Sequence, residues 1–348
     1  MCKSNLHCRR AFRCPALGLL FALIALSPSQ VFGDPPESVK RAISYLETEV
    51  PSWHRENGCY SCHNNGDAIR ALAVAANHGL LSDRKSLDDT LEFLCSPAKW
   101  DANGPNGPFK DAKLARIQFA AALADATTSG LIGNSEPLHS AARLLAELQR
   151  TDGSWPADAE GTLGSPITYG QPLASAMAIR TLFAASAKDF ATHIESGQRW
   201  FVNREPRGIL DAAATLLALS DKDGQASRLR RTQSIKLIST GESDGGGWGP
   251  FVNSPPELFD TAVVILALNA ENLKHPEQCK LAAPIARGRD YLMARQQADG
   301  SWPATTRPPG VDSYAQQIST TGWALQALLA TAAKSSEKTP TVTSKECK

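Results

Sequence analysis

The densest chemistry in the chain lies in the run Gly58-Cys59-Tyr60-Ser61-Cys62-His63. Two thiols separated by two residues and followed at once by an imidazole spell Cys-x-x-Cys-His. That order attaches a c-type haem through two thioether links, with the histidine as iron ligand. The same residues support two other chemistries. A local Cys59 to Cys62 disulfide needs only an oxidising compartment, and a metal other than haem iron would need His63 together with His54 or His78. If His63 holds iron, the sixth position is open or filled by His54, His78, Met177 or Met293, and spacing does not choose among them. His139, His193 and His275 lie near helix starts or in loops without ligand-like spacing, and a solvated role is expected for them. The chain has no Walker loop, dinucleotide-binding glycine fingerprint, Gly-x-Ser-x-Gly or His-Glu-x-x-His.

Haem attachment and disulfide formation both take place outside the reducing cytoplasm, and the first residues read as an export leader. Arg9, Arg10 and Arg13 precede the apolar run Ala16 to Leu26, and Val31-Phe32-Gly33 offers small residues at the cleavage positions. Residues 1–33 are therefore expected to be a removed signal peptide, and the protein to be periplasmic or secreted. The apolar run is too short for a membrane span of roughly 20 residues, and no later stretch qualifies. Beyond the leader, Cys59, Cys62, Cys95, Cys279 and Cys347 are odd in number and thinly spread, unlike a disulfide scaffold. Lys and Arg total 36 against 35 Asp and Glu, a net charge of +1, which gives no field to gather nucleic acid or an anionic membrane. With 348 residues that are 42% apolar, the chain can bury a sizeable core. Abundant alanine and only 7% aromatic residues favour an all-helical protein.

The elements that must position these residues repeat. Residues 141–156 end in Leu148-Gln149-Arg150-Thr151-Asp152-Gly153-Ser154-Trp155-Pro156, and residues 288–303 end in Gln296-Gln297-Ala298-Asp299-Gly300-Ser301-Trp302-Pro303. Each is an amphipathic helix closed by an Asp-Gly turn, then a Pro/Gly loop and a second, Ala/Leu-rich helix. First helices are predicted near Ser38, Ser86, Pro137, His193, Leu229 and Pro284, and second helices near Gly66, Asp111, Pro172, Ile209, Phe259 and Ser319. The second helices are apolar nearly all round and so belong inside. The cluster Arg228-Leu229-Arg230-Arg231 reads as a solvated face of an outer helix. A hairpin cannot bury its face alone, so six of them stack, and the apolar last unit argues for closure over an open solenoid. The expected fold is an all-α (α/α)6 toroid over residues 34–333, followed by a disordered Ser/Thr/Lys tail over 334–348.

Arg287-Gly288, Tyr291-Leu292, Gln296, Gly300 and Trp302, with Ala142, Leu145, Gln149, Gly153 and Trp155, resemble the QW repeat of the terpenoid cyclase and protein prenyltransferase superfamily, in particular its squalene-hopene cyclase branch. Asp244-Gly245-Gly246-Gly247-Trp248-Gly249-Pro250 resembles the Gly-Gly-Trp-Gly form of that repeat. The resemblance implies the same toroid. The repeat glutamines and tryptophans have a structural role of their own, an indole stacked on a neighbouring amide or helix end that staples adjacent outer helices, so the tryptophans are not expected to be catalysts. It also implies an Asp-x-Asp-Asp-Thr-Ala acid motif opening an inner helix. The matching stretch is Glu257-Leu258-Phe259-Asp260-Thr261-Ala262, with Phe259 where the proton donor would stand. Glu257 and Asp260 are then the remaining catalytic candidates, with Asp260 more simply a helix N-cap. Ser86-Leu87-Asp88-Asp89-Thr90 matches part of the motif but opens an outer helix, where acids serve as caps. The zinc ligands of the prenyltransferase branch have no counterpart after Trp248 and Trp302.

Three functions are compatible with these residues. One is a binding or redox-associated toroid with haem c on the first hairpin and an apolar central cavity for a lipid or isoprenoid, without squalene cyclase activity. The second is a divergent cyclase or lyase-type enzyme using Glu257 and Asp260, and the third is a structural interaction module. Whether the protein is an enzyme stays open at this point.

Overall fold

A computed structural model describes residues 35–102, 112–157, 163–276 and 280–332. The expected leader (1–33), Cys279, Cys347 and the expected tail (334–348) lie outside the described residues. Those described form α1 (Glu37–Asn57), a π-helical turn (Cys62–Ala68) running into α2 (Ile69–Asn77), α3 (Asp88–Leu94), α4 (Ala112–Thr128), α5 (Glu136–Leu148) and α6 (Gly170–Ser186). There follow α7 (Ala191–Asn203), α8 (Ile209–Leu219), α9 (Gln225–Thr240), α10 (Leu258–Lys274), α11 (Ala282–Met293) and α12 (Tyr314–Ala330). Odd-numbered helices make the outer ring and even-numbered ones the inner ring, in the order the repeats predict. Inner helices are buried on nearly every face: in α8 only Asp211 among eleven residues is not buried. No described helix is long and apolar enough to cross a membrane.

The repeat residues explain why the hairpins hold their spacing. The Trp155 indole N–H donates to Leu145 O at 2.7 Å, Trp248 to Ile238 O at 2.9 Å and Trp302 to Leu292 O at 2.8 Å, each satisfying a carbonyl at the end of its own outer helix. The backbone N–H of the same three residues donates to Ser175, Thr261 and Thr321 on the paired inner helix. Each tryptophan thus ties the two helices of one hairpin by hydrogen bonds, while the Trp155 and Trp248 rings pack closely on Gly197 of α7 and Gly288 of α11 in the next outer helix. The hydrogen-bonded link to the next hairpin comes from the glutamine: Gln149 Nε2 donates to His193 O on α7 at 2.8 Å, and Gln296 Nε2 to Ser38 O on α1 at 2.8 Å. A Cβ on Gly153 or Gly300 would lie within 2.4 Å of the Ser196 or Arg41 carbonyl oxygen of that next helix, so only glycine lets the turn approach so closely.

The Gln296 to Ser38 bond joins the sixth hairpin to the first. Arg41 Nη2 also donates to Gln296 Oε1 at 2.7 Å, and α12 packs on α1, α2 and the π turn. The ring is closed, as expected over an open solenoid. The second outer helix begins near Ser86 as expected, through a 3-10 turn (Lys85–Leu87), and is only seven residues long, because Pro97 cannot continue it and a 3-10 turn (Pro97–Ala102) replaces its last turn. Within that turn Trp100 donates to Phe93 O at 3.3 Å, repeating the staple where no Gly-x-Trp signature marks it. Arg231 is not on a solvated face: it is 2% exposed and donates to Glu271, Leu219 O and Lys222 O.

Candidate functional site

The Cys-x-x-Cys-His run straddles the end of α1 and the π turn. Gly58, in the left-handed region at φ 65°, ends α1 and donates to His54 O. Tyr60 is then clamped between two rings, His54 at 4.0 Å and Phe93 at 4.1 Å, both near parallel. Ser61 Oγ accepts from the backbone N–H of His63 and Asn64 and so starts the π turn. The turn is pinned from three sides: Asn65 Nδ2 donates to Val50 O and to Thr90 Oγ1, and Asn64 Nδ2 donates to Glu49 O and to Tyr314 Oη. A π-helical turn adds one residue per turn and is frequent at functional sites. Here it re-aims Cys62 and His63 together.

His63 faces α12. Its Nδ1 lies 3.3 Å from Ser319 Oγ and its Nε2 3.6 Å from Cys62 Sγ, so the ring stands between α12 and the second thiol of the motif, with donor and acceptor set by the tautomer. Desolvation lowers the His63 pKa to about 4, so the ring is neutral at physiological pH even though the residue as a whole is partly exposed. Cys59, Cys62 and Cys95 are thiols. The structure therefore does not contain the Cys59 to Cys62 disulfide. Among the described residues no group of three or more His, Cys, Asp and Glu is arranged for a metal ion.

This donor set fits covalent haem attachment: two half-exposed thiols, and a neutral imidazole held beside them against Ser319 of α12. Of the four sixth-ligand candidates, only His54 is tied to the motif, through Tyr60. His78 sits fifteen residues further along the helical run, about 20 Å away at the rise of a helix. Met177 lies in α6, and Met293 ends α11.

Asp67 leads inward to the axis. It accepts from Tyr169 Oη and from Gln118 Nε2 (3.1 Å), and burial raises its pKa to about 6 against the opposing pull of Arg70 and its hydrogen-bond donors. Tyr169, at φ 57°, holds a backbone conformation unusual for a side chain of its size and points its ring edge-on to Trp323 at 5.6 Å. Phe259 also meets Trp323 edge-on, at 5.7 Å, and the Arg70 guanidinium lies 4.6 Å from the Trp323 ring. Asp67, Phe259 and Trp323 have no exposed area and Tyr169 has 1%, so no water-sized void touches the first three. The expected apolar central cavity is therefore absent at this level: three aromatic rings and a polar cluster fill the axis. No short-range sequence signal marks Asp67, Gln118, Tyr169 or Ser319, because their partners lie 51 to 252 positions from Asp67 in the chain.

The expected acids sit elsewhere. Asp260 is not an N-cap: Glu257 holds that position without a side-chain cap bond, and Asp260 is the third residue inside α10, fully buried. Arg307, from the loop before α12, bonds to Asp260 Oδ2 and to Glu257 Oε2 (3.0 Å). Burial raises the Asp260 pKa to about 7, Arg307 works against that shift, and Glu257 adds to it. The three groups clamp the fifth hairpin to the sixth. Asp260 has no route to a substrate, and Phe259, at the proton donor's place, is part of the axial plug.

The architecture is a terpene-cyclase-like α/α toroid. A type II terpene cyclase from Scytonema, MstE, matches with a TM-score of 0.54 at 15% identity over 84% of this chain and 98% of that one. A variant of the same cyclase in complex with its product, merosterolic acid A, matches at 0.56 and 14% identity, over 85% and 97%. A glycosyl hydrolase of family 88 from Bacteroides vulgatus matches at 0.53 and 12% identity, over 85% and 99%. At these identities the likeness is one of fold. In sequence, a probable squalene–hopene cyclase from Sinorhizobium fredii is 39% identical over 61 residues, which are 17% of this chain and 9% of that enzyme. No family model matches the chain.

Proposed function

We propose that the protein is an exported squalene-cyclase-like toroid without cyclase activity, working as a binding or redox-associated protein that carries haem c on Cys59, Cys62 and His63. The observation that carries this reading is the π turn that sets Cys62 and a neutral His63 side by side after Cys59, with the His63 ring held at Nδ1 against Ser319 of α12. Haem c bound there would supply a one-electron iron centre. Ser319 orients the imidazole, Ser61 starts the turn that presents it, and Asn64 and Asn65 lock that turn to α1, α3 and α12. The axis supports the absence of cyclase activity: an alkene-protonating acid needs a carboxyl group facing a substrate cavity, and Phe259, Trp323 and Tyr169 are packed there with almost no exposed area. An enzyme acting through Glu257 and Asp260 finds less support, because Arg307 occupies both carboxylates.

The test is to express the full chain with its own leader in a bacterium, with and without cytochrome c maturation machinery, and to record the visible spectrum. The reading expects a Soret band that survives acid-acetone extraction only when the machinery is present. Cys59→Ala or Cys62→Ala should weaken covalent retention, and His63→Ala should alter the iron ligation bands. Colourless protein under both conditions would overturn the haem assignment.

A further inference from the structure

Tyr60 stands between the two cysteines of the Cys-x-x-Cys-His run, and its ring ties that run to two helices. It stacks on His54, in the last turn of α1, at 4.0 Å and on Phe93 of α3 at 4.1 Å, each pair 10° from parallel. Phe93 then meets Phe119 of α4 edge-on at 5.0 Å, and Phe119 has no exposed area. The three stacked rings are thus continuous with the core. The backbone on either side of Tyr60 is fixed as well: Gly58 N donates to His54 O, and Ser61 N donates to Asn65 Oδ1 at 2.9 Å. Ser61 itself is extended, at φ −102° and ψ 143°, where the chain enters the π turn. Cys59 and Cys62 are therefore carried on a segment anchored at both residues between them.

This anchoring bears on two thiols meant for an oxidising compartment, where disulfide exchange competes with thioether formation. A disulfide takes a narrow range of Cα separation and a torsion of about 90° at its sulfurs, so a segment held in another geometry resists closing one. The geometry points to Tyr60 as a positioning residue of the attachment site: stacked between His54 and Phe93, it keeps Cys59 and Cys62 as separate thiols until each S–H adds across a haem vinyl group, with no atom lost. The assignment rests on the haem reading, whereas the holding of the thiols is a property of the haem-free chain.

The test equilibrates the full chain, made without maturation machinery, with mixtures of reduced and oxidised glutathione. The Cys59 to Cys62 disulfide is then read by acid quench, alkylation and peptide mass. The exchange turns two protein thiols and one oxidised glutathione into one protein disulfide and two reduced glutathiones. Tyr60→Ala should raise its equilibrium constant by about fivefold or more, and Tyr60→Phe, which keeps both ring faces, should stay within about twofold of wild type. His54→Ala and Phe93→Ala each remove one neighbour of the Tyr60 ring and should each move the constant in the direction of Tyr60→Ala, with unchanged far-UV circular dichroism. In cells with active maturation machinery, Tyr60→Ala should carry less covalent haem than wild type and Tyr60→Phe the same amount. Equal constants in wild type and Tyr60→Ala, or a Tyr60→Phe value matching Tyr60→Ala, would overturn the proposal even if wild type carries haem. Colourless wild type from cells with that machinery, with constants that still separate as expected, would instead remove the haem reading and leave Tyr60 holding the thiols apart.

Discussion

Gln149→Ala and Gln296→Ala should cost the same, because the two side chains do the same work at different seams. Gln149 Nε2 donates to Gly153 O and His193 O, and its Oε1 bonds to His193 Nδ1 at 2.7 Å, joining the third hairpin to the fourth. Gln296 Nε2 donates to Gly300 O and Ser38 O, and its Oε1 accepts from Arg41, joining the sixth hairpin to the first. Truncation removes three half-buried hydrogen bonds in each case. At about 1 kcal/mol net apiece, with Arg41 or His193 able to turn to water, the loss is about 2–3 kcal/mol. Urea unfolding followed by circular dichroism should show both midpoints falling by similar amounts with unchanged slopes. Hydrogen exchange should show faster opening of α1 in Gln296→Ala and of α7 in Gln149→Ala. An open superhelix predicts something else: Gln149→Ala would keep its full cost while Gln296→Ala cost less than about 0.5 kcal/mol, within the ordinary range for a surface change. That pair of results would refute ring closure.

Protein made without maturation machinery should gain stability as pH rises from about 4 to 6.5, because the His63 pKa is depressed from 6.5 to about 4 and the unfolded state binds the extra proton. The contribution is about 2 kcal/mol after allowing for partial exposure, and a His63→Gln variant that keeps the same slope in denaturation curves would contradict it. Asp67 titrates with the opposite sign: its pKa is raised to about 6, so its contribution falls as pH rises from about 4 to 6, and Asp67→Asn should remove that component from the same curves. Tyr169→Phe deletes a donor to a buried carboxylate and should cost about 1–3 kcal/mol in urea unfolding, with a loss below about 0.5 kcal/mol counting against the axial network. Incubation with squalene should yield no cyclised product by gas chromatography, and hopene-like products lost on Asp260→Asn would reverse the assignment.

The hairpins are legible in the sequence because their signals are local and repeated. Gln149, Gly153 and Trp155 recur as Gln296, Gly300 and Trp302, and near-continuous apolar stretches such as Thr261 to Leu268 mark the inner helices. Arg231 reads as solvated because its buried stripe on α9 runs through Ser227, Ser234 and Ile238, where small polar residues hide the inward face. Asp260 reads as a cap because its partner, Arg307, lies 47 positions away in a Pro-rich loop. The Cys59, Cys62 and His63 set is visible as spacing, whereas the groups that orient it are not. Ser319 is 256 residues from His63, and Tyr169 reaches Asp67 only because ring closure and a left-handed backbone bring it there. Residues that fill the axis of a ring come from several units at once, so no window of sequence contains them together.

The most direct measurement on the central claim is the intact mass of the full chain after export through active cytochrome c maturation machinery, compared with Cys59→Ala/Cys62→Ala made in the same cells. The account predicts a wild-type species heavier than its polypeptide by one haem, retained under denaturing conditions, and an unmodified double variant. A wild-type mass equal to the bare polypeptide, or lower by the two hydrogens of a Cys59 to Cys62 disulfide, would contradict it.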